Sequence, residues 1–369
     1  MTGAGADERF MAAAIRLSRN HLGLTSTNPS VACLIVKDGV VIGSAVTARG
    51  GRPHAETQAL AEAGPAARGA TAYVTLEPCS HHGKTPPCAD ALIAAGITRV
   101  VVSVPDPDER VAGRGFAMLR EAGIAVETGV LEAEGRRTLA GYLMRQTKKR
   151  PHVTLKLAVS ADGMIGRLGA GQIAISGPVS RGQVQVLRAE SDAILVGIGT
   201  AVADDPELTV RLPGLEERSP VRIVLDALLE LPPEGKLVKS AGSVPVIVAA
   251  DTPPGFDNST DPAFQVRREA LIQAGVETLL CNPRDLCELL EALASRNIST
   301  LLVEGGARTA QRFLDSGLVD RIILFGAPGT IGLGGIASPC VPGRAPAGFS
   351  LRRTMQFGPD LCEEYERDN

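Results

Sequence analysis

Apolar side chains follow two rhythms along this chain. From Asp7, the residues Phe10, Met11, Ala14 and Ile15 recur at three- and four-residue spacing, the period of a helix with one buried face. The polar run Thr25 to Asn28 and then Pro29 end it. Val31 to Val36 is a short continuous apolar run of strand length. Lys37-Asp38-Gly39 supplies a hairpin turn, and Val40 to Val46 returns as the partner strand. After the loop Arg49 to Pro53, a helix is predicted over Glu56 to Ala63, a strand over Ala72 to Leu76, a helix from Cys88 to Ala95 closed by Gly96, and a strand over Arg99 to Val104. This order implies a three-layer α/β domain ending near residue 145. Leu131 to Tyr142 is helical, and the basic run Lys148-Lys149-Arg150 before Pro151 reads as a junction.

Beyond it, strands are predicted at Val153 to Val159, Ala193 to Val196, Val221 to Leu225, Val244 to Ala249, Leu301 to Val303, Arg321 to Phe325 and Ser350 to Phe357. Helices fall at 179–190, Arg267 to Ala274, Asp285 to Ala294 and Ala307 to Ser316. The alternation implies a second, mostly parallel α/β domain. The expected domains are therefore 1–147 and 152–369. Asp360 to Asn369 reads as a polar, partly disordered end.

Composition narrows the class without naming a chemistry. The 369 residues are 44% hydrophobic and 21% charged, as in ordinary globular proteins, and too many for one core. A net charge of −3 argues against a broad nucleic-acid footprint. Seven cysteines at irregular spacing, with no secretory pattern at Met1 to Ala6, suggest reduced thiols and a cytoplasmic enzyme. No apolar run reaches membrane-spanning length.

Pro53 to Cys88 carries the sharpest signal. His54-Ala55-Glu56 is followed by Glu77-Pro78-Cys79 and by Cys88. One His and two Cys thiolates offer three zinc ligands and leave a fourth position for water. Glu56, two residues after the His, is placed to carry protons rather than to bind metal. A structural zinc would instead want a fourth protein ligand, which His81 or His82 could supply. Nucleic-acid and nucleoside deaminases usually place two residues between the cysteines. Here eight intervene, Ser80 to Pro87. Their polar members Ser80, His81, Lys84 and Thr85 read equally as a solvated loop or as a contact to a phosphorylated substrate.

The run Thr75 to Cys88, with its long inter-cysteine loop, resembles the deaminase half of the bifunctional deaminase/reductase family of riboflavin biosynthesis. Asn28-Pro29-Ser30-Val31, His54-Ala55-Glu56, Asp106-Pro107 and Val111-Ala112-Gly113-Arg114-Gly115 match the same family. The resemblance implies a cytidine-deaminase-like fold, zinc on His54, Cys79 and Cys88, Glu56 as the catalytic acid/base, and a diaminopyrimidinone ribosyl phosphate as substrate.

In the second half, Glu304-Gly305-Gly306 joins a strand to a helix N-terminus, where free N–H groups can hold a phosphate and a tight turn is the plainer role. No GxGxxG is present. Leu155 to Gly163, Leu195 to Thr200, Asp204 to Thr209, Arg211 and Val303 to Gly306 resemble the reductase half of the same family. That implies a dihydrofolate-reductase-like fold and NADPH. By position, Ala158, Ala174, Thr200, Asp204, Gly306, Ala307, Arg308, Thr309, Ala310, Gln311 and Arg312 would meet NADPH. Gln172, Arg188, Leu208, Arg211 and Glu304 would meet the substrate, and Asp204 is the candidate proton donor. Ala174 departs from the family, many members of which carry a Trp there. The family also implies a homo-oligomer, a dimer or tetramer. The competing readings are a nucleic-acid base deaminase with an appended domain and a zinc-stabilised binding module without turnover.

Overall fold

The computed structural model describes residues 4–81, 86–108, 111–251 and 261–368, so Lys84 and Thr85 of the inter-cysteine loop lie outside the described residues. The chain forms two compact units, Met1–Lys149 and Arg150–Asn369. Among the described residues no helix is long and apolar enough to cross a membrane.

The first unit runs α1 (Ala4–Ser18), β1 (Ala32–Lys37), β2 (Val40–Val46), α2 (Ala55–Ala63), β3 (Thr71–Leu76), α3 (Cys88–Ala94), β4 (Arg99–Val104), α4 (Arg114–Glu121), β5 (Ala125–Thr128), α5 (Glu132–Thr138) and α6 (Ala140–Lys148). Its five strands are ordered β2-β1-β3-β4-β5. β1 is antiparallel to β2 and β3, whereas β3, β4 and β5 are parallel. Both faces of the central strands β1, β3 and β4 are buried, and the two-residue strand period sorts side chains between them. Cys33, Ile35, Val74, Val100 and Val102 pack with Ala59 of α2, Leu92 of α3 and Leu119 of α4. Leu34, Val36, Tyr73 and Val101 point the other way and pack with Met11, Ala14 and Ile15 of α1. α1 is pinned there by Asp7, which accepts from Tyr73 Oη at 2.7 Å and from the Arg99 guanidinium at 2.8 Å. β5 escaped the sequence pattern because none of its four residues is fully buried.

The second unit runs β6 (His152–Val159), β7 (Met164–Arg167), α7 (Pro178–Ala189), β8 (Ala193–Gly197), α8 (Ile198–Asp204), β9 (Val221–Leu225), α9 (Lys236–Lys239), β10 (Val246–Ala250), α10 (Pro262–Gln273), β11 (Glu277–Leu280), α11 (Leu286–Ser295), β12 (Thr300–Val303), α12 (Ala307–Asp315), β13 (Arg321–Gly326), β14 (Gly335–Ala337), β15 (Phe349–Phe357) and β16 (Asp360–Arg367). Nine strands form one sheet in the order β11-β10-β9-β8-β12-β6-β13-β16-β15, and β14 pairs with β7. The sheet is parallel from β11 to β13, and β16 runs antiparallel to both β13 and β15.

The C-terminal expectation is corrected here. Asp360–Arg367 is not a loose tail but strand β16, placed between two others. Its acidic residues are buried with partners: Glu364 meets Arg353 at 2.5 Å and Arg321 at 3.4 Å, and Glu363 accepts the Gly343 N–H at 2.9 Å. Those partners are distant in sequence, so the run looks merely polar when read alone. Asp360 also accepts from Gly177 N at 2.7 Å and Ser180 Oγ at 2.5 Å, tying the hairpin to the start of α7.

Candidate active sites

In the first unit the sheet delivers three metal-type donors to one point. His54 is the extended residue just before α2, Cys79 follows β3 by three positions, and Cys88 opens α3. His54 Nδ1 stands 3.3 Å from Cys88 Sγ and 3.7 Å from Cys79 Sγ. All three donor atoms lie within 4.8 Å of one another. A tetrahedral zinc with Zn–N near 2.0 Å and Zn–S near 2.3 Å requires N···S separations of roughly 3.6 Å. The observed spacing fits that ion. Among the described residues this group contains no fourth side chain, and His81 is not part of it; His82 lies outside the described residues.

In the absence of a metal the two thiols share one proton, with Cys88 pushed well up by Cys79 and by burial. The Cys79 thiol is held down at about 4, first by the Cys88 thiol and then by the His54 ring, against its burial. Glu56, 3% exposed in the first turn of α2, is pushed up to about 7 by burial and then by the charge on Cys79. A carboxyl near 7 can both take and give a proton at neutral pH.

Sequence reasoning passed over Glu77, which sits between strand and ligand and is 3% exposed. Its carboxylate accepts from the main-chain N–H groups of Asp106, Gly113 and Phe116. Asp106 in turn accepts from Tyr142 Oη at 3.0 and 3.1 Å, and burial pushes its carboxyl up to about 6.

The second unit gathers many of its nominated residues at the C-terminal ends of β6, β8 and β12. Arg188, on the last turn of α7, donates from Nε to Glu304 at 2.8 Å and from Nη2 at 3.1 Å. Its Nη1 donates to the Thr209 carbonyl at 3.1 Å, anchoring the loop that carries Leu208 and Arg211. Leu208 is buried at φ +56°, a left-handed conformation that costs a non-glycine residue energy. Arg211 is half exposed and pairs with Glu207 at 3.0 Å. Lys156 lies in β6, within the run Leu155 to Gly163. The structure puts its Nζ 3.5 Å from Glu304, and a single lysine inside the apolar strand β6 was the available signal. Burial would raise the Glu304 carboxyl, but Arg188 and Lys156 hold it down at about 2.

Beside this cluster, Thr200 Oγ1 in α8 accepts the Gly306 N–H at 3.1 Å. Gly306 is the cap residue of α12, so Ala307 and Arg308 fall in its first turn, where N–H groups lack partners within the helix. Thr309 is buried against Gly197 and Gly305; a Cβ at either glycine would come within 2.6 Å of it. Ala310 is 0% exposed in the core, Gln311 donates to Asp315, and Arg312 donates to the Pro283 carbonyl. Ala158 lies in β6 and Asp204 ends α8, where burial pushes its carboxyl up. Gln172 and Ala174 are exposed on the segment between β7 and α7.

A zinc-type ligand triad beside a buried acid on one α/β unit, and a paired-charge cluster beside a glycine-capped helix on another, define a two-unit deaminase/reductase. Residues 5–104 match the cytidine and deoxycytidylate deaminase zinc-binding region, and residues 151–362 match the RibD C-terminal domain. The chain belongs to the RibD family of riboflavin-biosynthesis proteins. It is 40% identical to riboflavin biosynthesis protein RibD of Escherichia coli over 96% of this chain and 98% of that one. It is also 40% identical to the RibD of Aquifex aeolicus, over 89% and 88% of the two chains. The solved structure of Acinetobacter baumannii RibD superposes with a TM-score of 0.85 at 36% identity, covering 100% of both chains. A Thermotoga maritima diaminohydroxyphosphoribosylaminopyrimidine deaminase/5-amino-6-(5-phosphoribosylamino)uracil reductase gives 0.84 at 33% identity, covering 99% of both. The fold is thus cytidine-deaminase-like in the N-terminal unit and dihydrofolate-reductase-like in the C-terminal one.

Proposed function

We infer that the chain catalyses two successive steps on one phosphorylated pyrimidine of riboflavin biosynthesis. The N-terminal unit hydrolyses the amine of 2,5-diamino-6-(5-phosphoribosylamino)pyrimidin-4(3H)-one. The C-terminal unit then reduces the ribosyl group to a ribityl chain. The observation that carries this reading is the His54, Cys79 and Cys88 donor set, at zinc spacing and next to buried Glu56, in a chain whose second half matches the RibD C-terminal domain.

His54, Cys79 and Cys88 would hold the zinc, which when bound supplies Lewis-acid activation of water. Glu56 accepts a proton from the attacking water and gives it to the ring nitrogen; it then carries a second proton, from the newly added hydroxyl, to the amine, which leaves as ammonia as the C=O forms. Its burial keeps that proton at a group matched to neutral pH. In the second unit, NADPH when bound supplies the hydride. Thr200 and the first turn of α12, from Gly306 to Thr309, would meet its phosphates, a reading supported by the helix N-terminus that begins there. Lys156 and Arg188 around Glu304 leave the pocket one net positive charge, which favours an anionic substrate. Arg211 is the more exposed cation on the adjoining loop and would meet the ribosyl phosphate. Asp204 would return the proton that completes the reduction. We also take the working form to be a homo-oligomer, which sedimentation of the purified chain would test.

Incubating the chain with the diaminopyrimidine ribosyl phosphate tests both steps. Ammonia without NADPH, and a ribityl product only with it, are expected. Ammonia release from RNA but not from the small pyrimidine would favour a nucleic-acid deaminase and overturn the reading.

A further inference from the structure

After β3 ends at Leu76, the main chain must place Cys79 with few local constraints. Pro78 has no N–H, and the Glu77 N–H is used by the Val104 carbonyl at 3.0 Å. The Glu77 side chain adds three further main-chain contacts. Oε2 accepts from Gly113 N at 3.2 Å and Asp106 N at 3.3 Å, and Oε1 accepts from Phe116 N at 3.4 Å. Gly115 closes the same contact from the helix side: a Cβ there would stand 2.2 Å from the Pro78 carbonyl oxygen and 3.3 Å from Glu77 Oε1. The receiving segment is itself braced, since Asp106 takes the Tyr142 hydroxyl of α6 and the Asp108 N–H at 2.9 Å. Cys79 emerges from this clamp with its sulfur 3.3 Å from the Cys88 N–H and its carbonyl 3.2 Å from the Ala89 N–H.

We propose that Glu77 is a positioning residue for the metal centre. By taking the main-chain N–H groups of Asp106, Gly113 and Phe116, it fixes Glu77-Pro78-Cys79 so that Cys79 Sγ stands at ligand distance from His54 and Cys88. Glu77 binds no metal and touches no substrate in this role; it acts through Cys79. The proposal rests on the reading of His54, Cys79 and Cys88 as zinc ligands.

The test compares full-length wild type, Glu77→Ala and Glu77→Gln. Zinc affinity is measured by competition with a chromophoric chelator, and the thiolate charge-transfer band is recorded after cobalt substitution. NADPH oxidation on the deaminated pyrimidine reports whether the rest of the chain is intact. We expect Glu77→Ala to bind zinc about 10- to 100-fold more weakly, as for other groups that orient ligands, and to lose part of the cobalt–thiolate band while NADPH oxidation is unchanged. Glu77→Gln keeps an oxygen for one set of N–H donors and turns its amide N–H against the other, so its affinity should fall between the two. Wild-type zinc affinity and cobalt spectrum in Glu77→Ala, or in Glu77→Gln where the alanine variant does not fold, overturn the proposal. A wild-type chain that binds no zinc would fail the underlying ligand assignment instead.

Discussion

Arg188 and Glu304, 116 residues apart in the chain, form a two-point ion pair, with Nε 2.8 Å and Nη2 3.1 Å from the carboxylate oxygens. Both side chains are about one-tenth exposed. The resemblance implies a substrate contact for each; what the structure shows is a pair that joins separate elements. Arg188 links α7, the end of β12 and the Thr209 carbonyl through one guanidinium. Removing one partner of such a buried pair typically costs about 3–5 kcal/mol, because the other charge is left without compensation. We expect Arg188→Met to lower the thermal midpoint of the second unit and abolish NADPH oxidation. Arg188→Met combined with Glu304→Met leaves Lys156 without its carboxylate, so it should recover only part of the midpoint and none of the oxidation. Calorimetry with a parallel assay of NADPH oxidation separates the two effects.

The same pair sets a pH limit. Glu304 is held at about 2 against an ordinary 4.5. Its folded pKa is depressed, so the unfolded chain binds more protons between those values. The stability it contributes is therefore complete above about pH 4.5 and is lost as pH falls toward 2. Acid unfolding of Glu304→Gln should show a shallower slope than wild type across that window. Parallel slopes would mean that Glu304 is not ionised in the folded protein.

The sequence discloses these sites unevenly, for physical reasons. His54, Glu56, Cys79 and Cys88 are legible because metal chemistry restricts residue type and order, whatever the surrounding fold. Arg188 and Glu304 are legible only through family resemblance, since nothing local marks a lone Arg on a helix as the partner of a distant Glu. Lys156 and Glu77 are only faintly marked as functional candidates: one looks like a polar interruption of β6, the other like a residue before Pro-Cys. Strand β16 is hidden by its own charge, because Glu363 and Glu364 look solvated until Gly343, Arg353 and Arg321 are seen beside them. In each of these cases the missing information is a partner more than ten residues away.

Glu56 offers a direct test of the deaminase assignment. It lies within the metal cluster's field but outside the ligand set. Glu56→Gln keeps the side-chain volume and removes the proton carrier. Loss of a general acid–base normally costs about 10²–10⁴ in rate. We expect ammonia release to fall by at least that range, zinc content by metal analysis to stay at the wild-type level, and NADPH oxidation on the deaminated pyrimidine to continue. Retained ammonia release would sink the assigned role.

Two glycines allow each half to be disturbed alone. A Cβ at Gly115 would meet the Pro78 carbonyl oxygen at 2.2 Å, and backbone has no rotamer with which to yield. A Cβ at Gly305 would meet Thr309 Cβ at 2.6 Å and Cγ2 at 2.7 Å, at the start of α12. Gly115→Ala must therefore shift the run that carries Cys79, whereas Gly305→Ala must shift the helix turn expected to receive NADPH. An ångström-scale misplacement of a reacting group can cost on the order of 10²-fold in rate. We expect Gly115→Ala to depress ammonia release and spare NADPH oxidation, and Gly305→Ala to do the reverse. Gly182→Ala is the control. It lies in α7 with no atom within 4 Å of the added methyl, so it should stabilise the helix by about 0.4–1 kcal/mol and leave both rates unchanged. Loss of both activities in either clashing variant would show that the two sites share a structural dependence that the separate cores of the two units do not predict.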